Sequence, residues 1–192
     1  TNFMDKFLVS KYFKSSVGTL IIYSSIIGLP VAFLIAVFKP EVLTLSLATA
    51  FFIILNSFLY IVYLFPYFKA LSKADASTVV PIFQTVPVFS YFLAFFVLGE
   101  TLSGMQIIGS LLIILGAVGI SLKFKKKSLH LTKDVLFLQL LASFIVALNY
   151  LFFKFFAIKL DFWTVSFWQY FGFLIFGLIL LTFVKSYRED FF

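Results

Sequence analysis

The chain carries, between Phe162 and Val184, the stretch FWTVSFWQYFGFLIFGLILLTFV, which contains no charged side chain. As an α-helix, a run of this length crosses the hydrocarbon core of a bilayer, which is about 30 Å thick. Comparable runs fill most of the 192 residues, of which 62% are hydrophobic and only 12% are charged. Soluble domains carry about twice that charged share. The sequence therefore predicts an all-α, polytopic membrane protein.

Six transmembrane helices are predicted from the apolar runs and from the Pro and Gly residues that separate them. The helices cover about 17–38, 43–65, 76–98, 102–122, 135–158 and 162–184. Pro40, Pro66 and Gly99 are expected to end the first three. Membrane-spanning strands are not expected, because the alternating pattern of a membrane barrel is absent from the sequence.

Basic side chains are distributed unevenly between the two membrane sides that this helix count defines. Twelve of the fifteen Lys and Arg residues lie on one side, two lie on the other, and Lys154 falls inside a predicted helix. Because basic loops stay in the cytoplasm, the loop 123–133 is predicted to be cytoplasmic. We expect the protein to lie in the plasma (inner) membrane of a prokaryote. The net charge of +7 is spread between apolar runs, so a nucleic-acid partner is not expected.

The composition gives little support for an enzymatic or metal-binding function. The chain has no cysteine and a single histidine, His130, so a cluster of Cys or His ligands for a metal is excluded. No P-loop motif is present, and the eight acidic residues are scattered. We therefore expect no metal, no cofactor and no enzymatic activity.

Between Ala70 and Leu122 the sequence combines small residues, prolines and glycines in a recognisable order. The residues concerned are Ala70, Leu71, Ala74, Asp75, Ala76, Ser77, Pro81, Pro87, Val88, Phe89, Leu98, Gly99, Glu100, Leu102, Gln106, Gly109 and Gly116. This segment resembles an EamA domain of the drug/metabolite transporter superfamily. The resemblance implies a ten-helix bundle made of two inverted five-helix repeats, and this chain would hold six of those helices, truncated at both ends.

The same resemblance implies a division of the chain. Residues 1–122 would form the first repeat without its first helix, 123–134 a basic inter-repeat loop, and 135–192 the start of the second repeat. A short motif supports an inverted repeat, because Lys6, Phe7 and Lys11 recur in order as Lys154, Phe155 and Lys159. The family comparison places the loop 123–133 outside the cell, whereas the charge count places it inside, and both orientations stay open.

The predicted helix 76–98 contains two prolines, Pro81 and Pro87, with Gln84 and Thr85 between them. Proline removes a backbone donor and kinks a helix, and in lipid the freed carbonyl needs a partner or a wet cavity. Gln84 and Thr85 are therefore candidate solute ligands at a bend. The alternative is a kinked packing helix whose Gln84 bonds to a neighbour.

Two other helices carry polar side chains that we expect to face the protein interior. Asn56, Tyr60 and Tyr63 share one helical face, and Asn149 and Lys154 follow in the helix 135–158. All five are candidate solute-binding residues. The alternatives are helix-to-helix bonding for the first group and snorkelling to the interface for Lys154.

Small residues mark the predicted helix 102–122 as a packing helix. Gly109, Gly116 and Gly119 would let another helix approach closely in lipid, either within the same repeat or from a second subunit in a homo-oligomer.

Taken together, these features predict a secondary transporter, a permease or exporter, that moves a small organic metabolite across the bilayer by alternating access. The alternative is a non-transporting membrane interaction or assembly protein, or an inactive fragment of a transporter.

Overall fold

The computed structural model describes residues 7, 17–101, 103–123 and 132–191, apart from the side chains at 17, 117–123 and 190. All regular secondary structure in these residues is helical. The helices are α1 (Val17–Ile27), α2 (Leu29–Phe38), α3 (Leu47–Lys73), α4 (Ala76–Phe83), α5 (Val86–Leu98), α6 (Gly104–Lys123), α7 (Lys133–Lys159), α8 (Phe162–Phe183) and α9 (Lys185–Phe191), with a 3-10 turn at Pro40–Thr44. Most of the predicted inter-repeat loop, 124–131, and Lys6 and Lys11 of the repeated motif lie outside the described residues.

Five stretches of the described residues are long and apolar enough, as helices, to cross a membrane. They are Gly18–Phe38, Leu47–Lys73, Ala76–Leu98, Lys133–Lys159 and Phe162–Phe183, and Gly104–Gly116 is a shorter apolar helix. The prediction of an all-α, polytopic membrane fold is confirmed.

Two spans are interrupted near their middle. The span predicted over 17–38 is observed as Gly18–Phe38, but α1 ends at Ile27 and α2 begins at Leu29, with Pro30 in its first turn. Proline has no N–H to donate to the preceding turn, so the hydrogen-bond ladder is broken there. The span Ala76–Leu98 is likewise divided between the two prolines, at Gln84 and Thr85, where the Thr85 hydroxyl donates to the Ile82 carbonyl at 2.8 Å.

Pro66 does not end a helix, contrary to our expectation. Helix α3 runs through Pro66 and continues to Lys73. A proline inside a membrane helix costs one backbone hydrogen bond, and neighbouring groups or local adjustments compensate for it. The carbonyl that loses its donor belongs to Val62.

The described chain forms two compact units. The first unit is Thr1–Lys14 with Tyr63–Leu148, and the second is Ser15–Val62 with Asn149–Phe192. The boundaries therefore fall inside α3, directly after Val62, and inside α7.

Aromatic rings and one ion pair connect the helices of the first unit. The Tyr63 and Tyr67 rings of α3 lie 6.1 and 5.2 Å from the ring of Phe83, at the end of α4. Helix α4 also packs against α6. Lys73 pairs with Asp134 at 3.6 Å, which joins the end of α3 to the start of α7.

The second unit is organised around α8, against which α1, α2 and α9 all pack. Its apolar cluster joins α2 to α8 through Ala32, Ile35 and Phe167 and includes Val42 of the 3-10 turn. The Trp168 indole N–H donates to the Val42 carbonyl at 2.9 Å, so the turn is also fixed to α8 by a hydrogen bond.

Glycines of α8 allow close helix contacts in the second unit. A Cβ atom at Gly172 would lie 2.7 Å from Ser57 Cβ and 3.1 Å from the backbone Cα of Ile54. At Gly177 it would lie 2.5 Å from Ser25 Cβ. In lipid, where helices do not gain from excluding water, such close approach is a main source of association. Gly172 therefore sets the separation between α8 and α3.

The glycines predicted to pack do not meet a neighbour within the described residues. A Cβ atom at Gly109 or Gly116 would meet no atom of the described residues within 4 Å, so the described helices do not cover this face and its packing role stays a prediction. Spacing alone showed that they share a face but not whether a helix covers it. Packing against a second subunit stays a prediction, and Gly119 lies among the residues whose side chains are not described.

The two kinds of glycine give a matched pair of substitutions. Gly172→Ala should lower the free energy of unfolding by about 1–3 kcal/mol, because the added methyl overpacks against Ser57 and Ile54. Gly109→Ala should leave it unchanged or raise it by up to about 1 kcal/mol, since alanine is the better helix former and the site is open. Equilibrium unfolding of both variants in detergent micelles measures the difference. Equal effects would contradict the close contact between α3 and α8.

Candidate functional site

Asp161 fixes the start of α8, the helix that carries most of the site. Its Oδ1 accepts hydrogen bonds from the backbone N–H of Trp163 at 2.8 Å and of Thr164 at 3.1 Å. These are donors that a helix N-terminus otherwise leaves unpaired. Hydrogen bonds from the Thr164 side chain, and then from the two backbone N–H groups, hold the pKa of the Asp161 carboxyl below its usual value. The ionised form also offsets the helix dipole.

Asn56 of α3 and Asn149 of α7 bond to each other's backbone. The Asn149 side-chain Nδ2 donates to the Asn56 carbonyl at 3.0 Å, and the Asn56 Nδ2 donates to the Asn149 carbonyl at 3.3 Å. Both side chains are buried. The two amides therefore join α3 to α7 by a reciprocal pair of hydrogen bonds, which we call the asparagine pair.

Gln169 of α8 connects the third helix to the asparagine pair. Its Nε2 donates to Asn149 Oδ1 at 3.1 Å. Ser57, which follows Asn56 on α3, donates its hydroxyl to the Gln169 backbone carbonyl at 3.0 Å and to Ile53 at 3.1 Å. Gly172 makes this possible, because it lets the turn of α3 that carries Ser57 approach α8. Three membrane-spanning helices thus meet at one network of uncharged polar groups.

A cavity of about 380 Å³ lies beside this network, entirely within the second unit. Its lining comprises six aromatic and three uncharged polar side chains: Tyr60, Asn149, Tyr150, Phe153, Phe162, Ser166, Gln169, Tyr170 and Phe173. Small-molecule sites have volumes of about 300–1,000 Å³, with mostly apolar walls and a few polar groups. The cavity has the size and composition of such a site.

Ser166 and Gln169 of α8 each offer the cavity a polar atom that can bond to a ligand. Ser166 is 6% exposed and Gln169 is 8% exposed, and both line the cavity. Among the residues that the structure describes, neither the Ser166 hydroxyl nor Gln169 Oε1 has a hydrogen-bond partner, whereas Gln169 Nε2 is held by Asn149. Because both residues line the cavity, a molecule bound there can form hydrogen bonds with these two atoms.

Comparison with known proteins assigns the chain to a family. The model of the EamA-like transporter family matches residues 6–122. The chain belongs to the EamA-like transporter family. No curated protein and no solved structure matches it. The family match contains Asn56 and Tyr60 but ends before α7 and α8. The rest of the cavity in this EamA-like protein is therefore contributed by residues beyond the match.

The structure divides the candidate ligands of the EamA-like chain between its two units. Asn56, Tyr60 and Asn149 come together in the second unit, at the asparagine pair and the cavity. Lys154 belongs to the same unit but is exposed and is not part of the cavity lining. The residue-by-residue roles stay predictions.

The other candidates belong to the first unit. Gln84 is exposed at the break between α4 and α5, and Thr85 bonds to its own turn. Tyr63 is buried against the Phe83 ring. Binding of a solute by these three residues also stays a prediction.

On the α8 side of the cavity the sequence indicated Gln169, which with Trp168 lies deep in its span as a candidate to face the pathway, whereas Ser166, Tyr170 and Phe173 were not selected. Ser166, Gln169, Tyr170 and Phe173 are spaced by three, four and seven residues and therefore share one helical face. Ser166 and Gln169 are uncharged polar residues within a mostly apolar span, which in lipid is a signal of an interior face. That combination of spacing and polarity could have identified them.

The contribution of the Asp161 charge to stability can be tested by measuring how stability depends on pH. Because the pKa of the folded state is lowered, ionised Asp161 stabilises the protein above the ordinary aspartate pKa of about 3.9, and this contribution is lost as the pH falls through the folded pKa. Asp161→Asn keeps an acceptor for the cap but removes the charge. The wild type should be more stable than Asp161→Asn by about 0.3–1 kcal/mol at pH 7, and this difference should disappear in acid.

Unfolding of both proteins between pH 7 and pH 2 measures this difference. Asp161→Ala is the control, because it lacks the acceptor and should remain less stable than Asp161→Asn at every pH. A wild-type advantage that stays constant down to pH 2 would show that the charge of Asp161 does not contribute.

Proposed function

We propose that this EamA-like protein is a secondary transporter whose small organic solute binds in the cavity of the second unit, against Asn149 and Gln169. The observation that carries the proposal is the cavity itself. It lies among membrane-spanning helices, and its polar side is built from buried amides joined across α3, α7 and α8. Polar side chains inside membrane spans are costly and usually serve a function.

The broken helices support movement around this site. Gly28 separates α1 from α2, and a Cβ atom at Gly28 would lie 2.7 Å from the Tyr170 ring, which lines the cavity. Discontinuous helices beside a binding site are common in secondary transporters, where one part of the protein rocks against another. A shift of α2 at Gly28 would therefore be transmitted to a wall of the cavity.

An assembly role is the second candidate, and one observation favours it. Helix α6 exposes a row of large apolar side chains together with the open Gly109 and Gly116. The members of the row are Met105, Ile107, Ile108, Leu111, Leu112 and Leu115. Such a surface suits lipid or a second membrane helix. In this case the protein would bind another membrane chain and carry no solute.

A flux assay separates the two functions. The protein is purified from its own cell and reconstituted in liposomes loaded with leucine, glutamate, lysine, uracil and benzamide, and their release is followed by mass spectrometry. We expect release of at least one of these solutes above the rate of protein-free liposomes. Asn149→Ala should slow it about tenfold or more, because the amide that positions Gln169 is gone.

Thr182→Val is the matched control. Thr182 lies on α8 but is exposed, and its hydroxyl donates to the Leu178 and Ile179 carbonyls of the same helix. It does not line the cavity, so the flux of the Thr182→Val variant should equal that of the wild type. Release no faster than from protein-free liposomes, or equal release by wild type and Asn149→Ala, would contradict the proposed function.

A further inference from the structure

Aromatic rings form the greater part of the cavity wall in two groups. In the first group the Tyr60 and Phe173 rings stack with centroids 4.2 Å apart, and Tyr170 meets Phe173 edge to face at 5.7 Å. In the second group Phe153 meets Phe162 edge to face at 5.7 Å. Aromatic side chains gain most from a partner that is itself a ring. The walls therefore favour a flat aromatic guest over an aliphatic one of the same volume.

The absence of a charged side chain from the lining limits the charge of the guest. None of the nine lining residues is Lys, Arg, Asp, Glu or His. An ion moved from water into such a cavity within the membrane would have no counter-charge, and the loss of its hydration would not be repaid. A guest that carries a net charge or a carboxylate is therefore disfavoured.

The polar side of the cavity favours a guest that carries a hydrogen-bond donor. The bond from Gln169 Nε2 to Asn149 Oδ1 fixes the orientation of the Gln169 amide, so the carbonyl oxygen Oε1 is the atom left to accept. The Ser166 hydroxyl, which lies one helical turn away on the same face, accepts or donates. A guest with an N–H or O–H group satisfies Gln169 Oε1, whereas a guest with acceptors alone leaves it unpaired.

The volume sets the size of the guest. A dry cavity of about 150 Å³ holds one benzene molecule. The cavity here, at about 380 Å³, has room for two fused rings or for one ring with a short polar substituent.

We infer that the solute of this cavity is an uncharged aromatic molecule of one or two rings that bears a hydrogen-bond donor. The inference rests on the proposed function for its biological meaning, since it names the class of solute that the transporter would carry. The preference of the cavity for such a molecule can be measured by binding alone, without a transport assay.

Benzamide and three close analogues test each element of the inference on the unaltered protein. Relative to benzamide, benzoate carries a charged carboxylate in place of the amide, N,N-dimethylbenzamide lacks the N–H donor, and cyclohexanecarboxamide lacks the aromatic ring. Binding of radiolabelled benzamide to the protein in lipid nanodiscs is measured by equilibrium dialysis, with empty nanodiscs to subtract partition into lipid, and the analogues compete.

We expect saturable benzamide binding. N,N-dimethylbenzamide should compete about tenfold more weakly, as expected for the loss of one hydrogen bond, and cyclohexanecarboxamide should also compete about tenfold more weakly. Benzoate should compete at least about a hundredfold more weakly. No saturable binding of benzamide, or competition by benzoate or cyclohexanecarboxamide as strong as that by benzamide itself, would overturn the inference.

Two substitutions locate the binding site. Phe153→Leu should weaken benzamide binding about three- to tenfold because it removes a ring from the wall. Phe183→Leu, the same change at an exposed position on α8 outside the lining, should leave binding unchanged. Equal effects of the two would place the bound benzamide elsewhere and would overturn the inference.

Failure of this inference is distinguishable from failure of the proposed function. If benzamide binds with these preferences but no solute is released from the liposomes, the binding site stands and the transport proposal fails. If glutamate or lysine is released and Asn149→Ala slows that release, transport stands and the aromatic, uncharged solute class is overturned.

Discussion

The network of Asn56, Asn149 and Gln169 is the constraint on which the second unit depends. In a bilayer an amide without a partner costs several kcal/mol, since no water is present to bond to it. Each of these three side chains donates to a group on another helix. The pairings therefore specify which faces of α3, α7 and α8 meet, in a solvent where apolar side chains give little preference between lipid and protein.

The cavity follows from the same constraint. Gly172 lets α3 and α8 approach closely, and the asparagine pair draws α7 against α3. Asn149 Oδ1 accepts one N–H of Gln169, and both residues line the cavity. One set of contacts thus holds the helices together and presents the polar groups of a binding site, so the stability and the binding specificity of this unit are expected to change together.

The sequence predicted the spans well, because an uncharged apolar run has few alternatives to crossing a membrane as a helix. It also identified Asn56 and Asn149 as interior, since polar residues in such runs seldom face lipid. Their partners could not be predicted, because a hydrogen bond between distant helices depends on packing. The glycines show the same limit. Spacing pointed to Gly109 and Gly116, but close contacts with described residues occur at Gly172 and Gly177 instead. Pro66 was misjudged because one lost hydrogen bond does not end a membrane helix.

A double-mutant cycle on Asn149 and Gln169 tests the central claim most directly. Unfolding free energies of Asn149→Leu, Gln169→Leu and the double variant are measured in detergent, with Asn149→Leu and Thr182→Val as the control pair. Interhelical hydrogen bonds in membranes couple by about 0.6 kcal/mol on average and up to about 1.7. We predict coupling in this range for Asn149 with Gln169 and additivity within about 0.3–0.5 kcal/mol for the control pair. Additive effects in both pairs would contradict an amide network that holds α7 and α8 together.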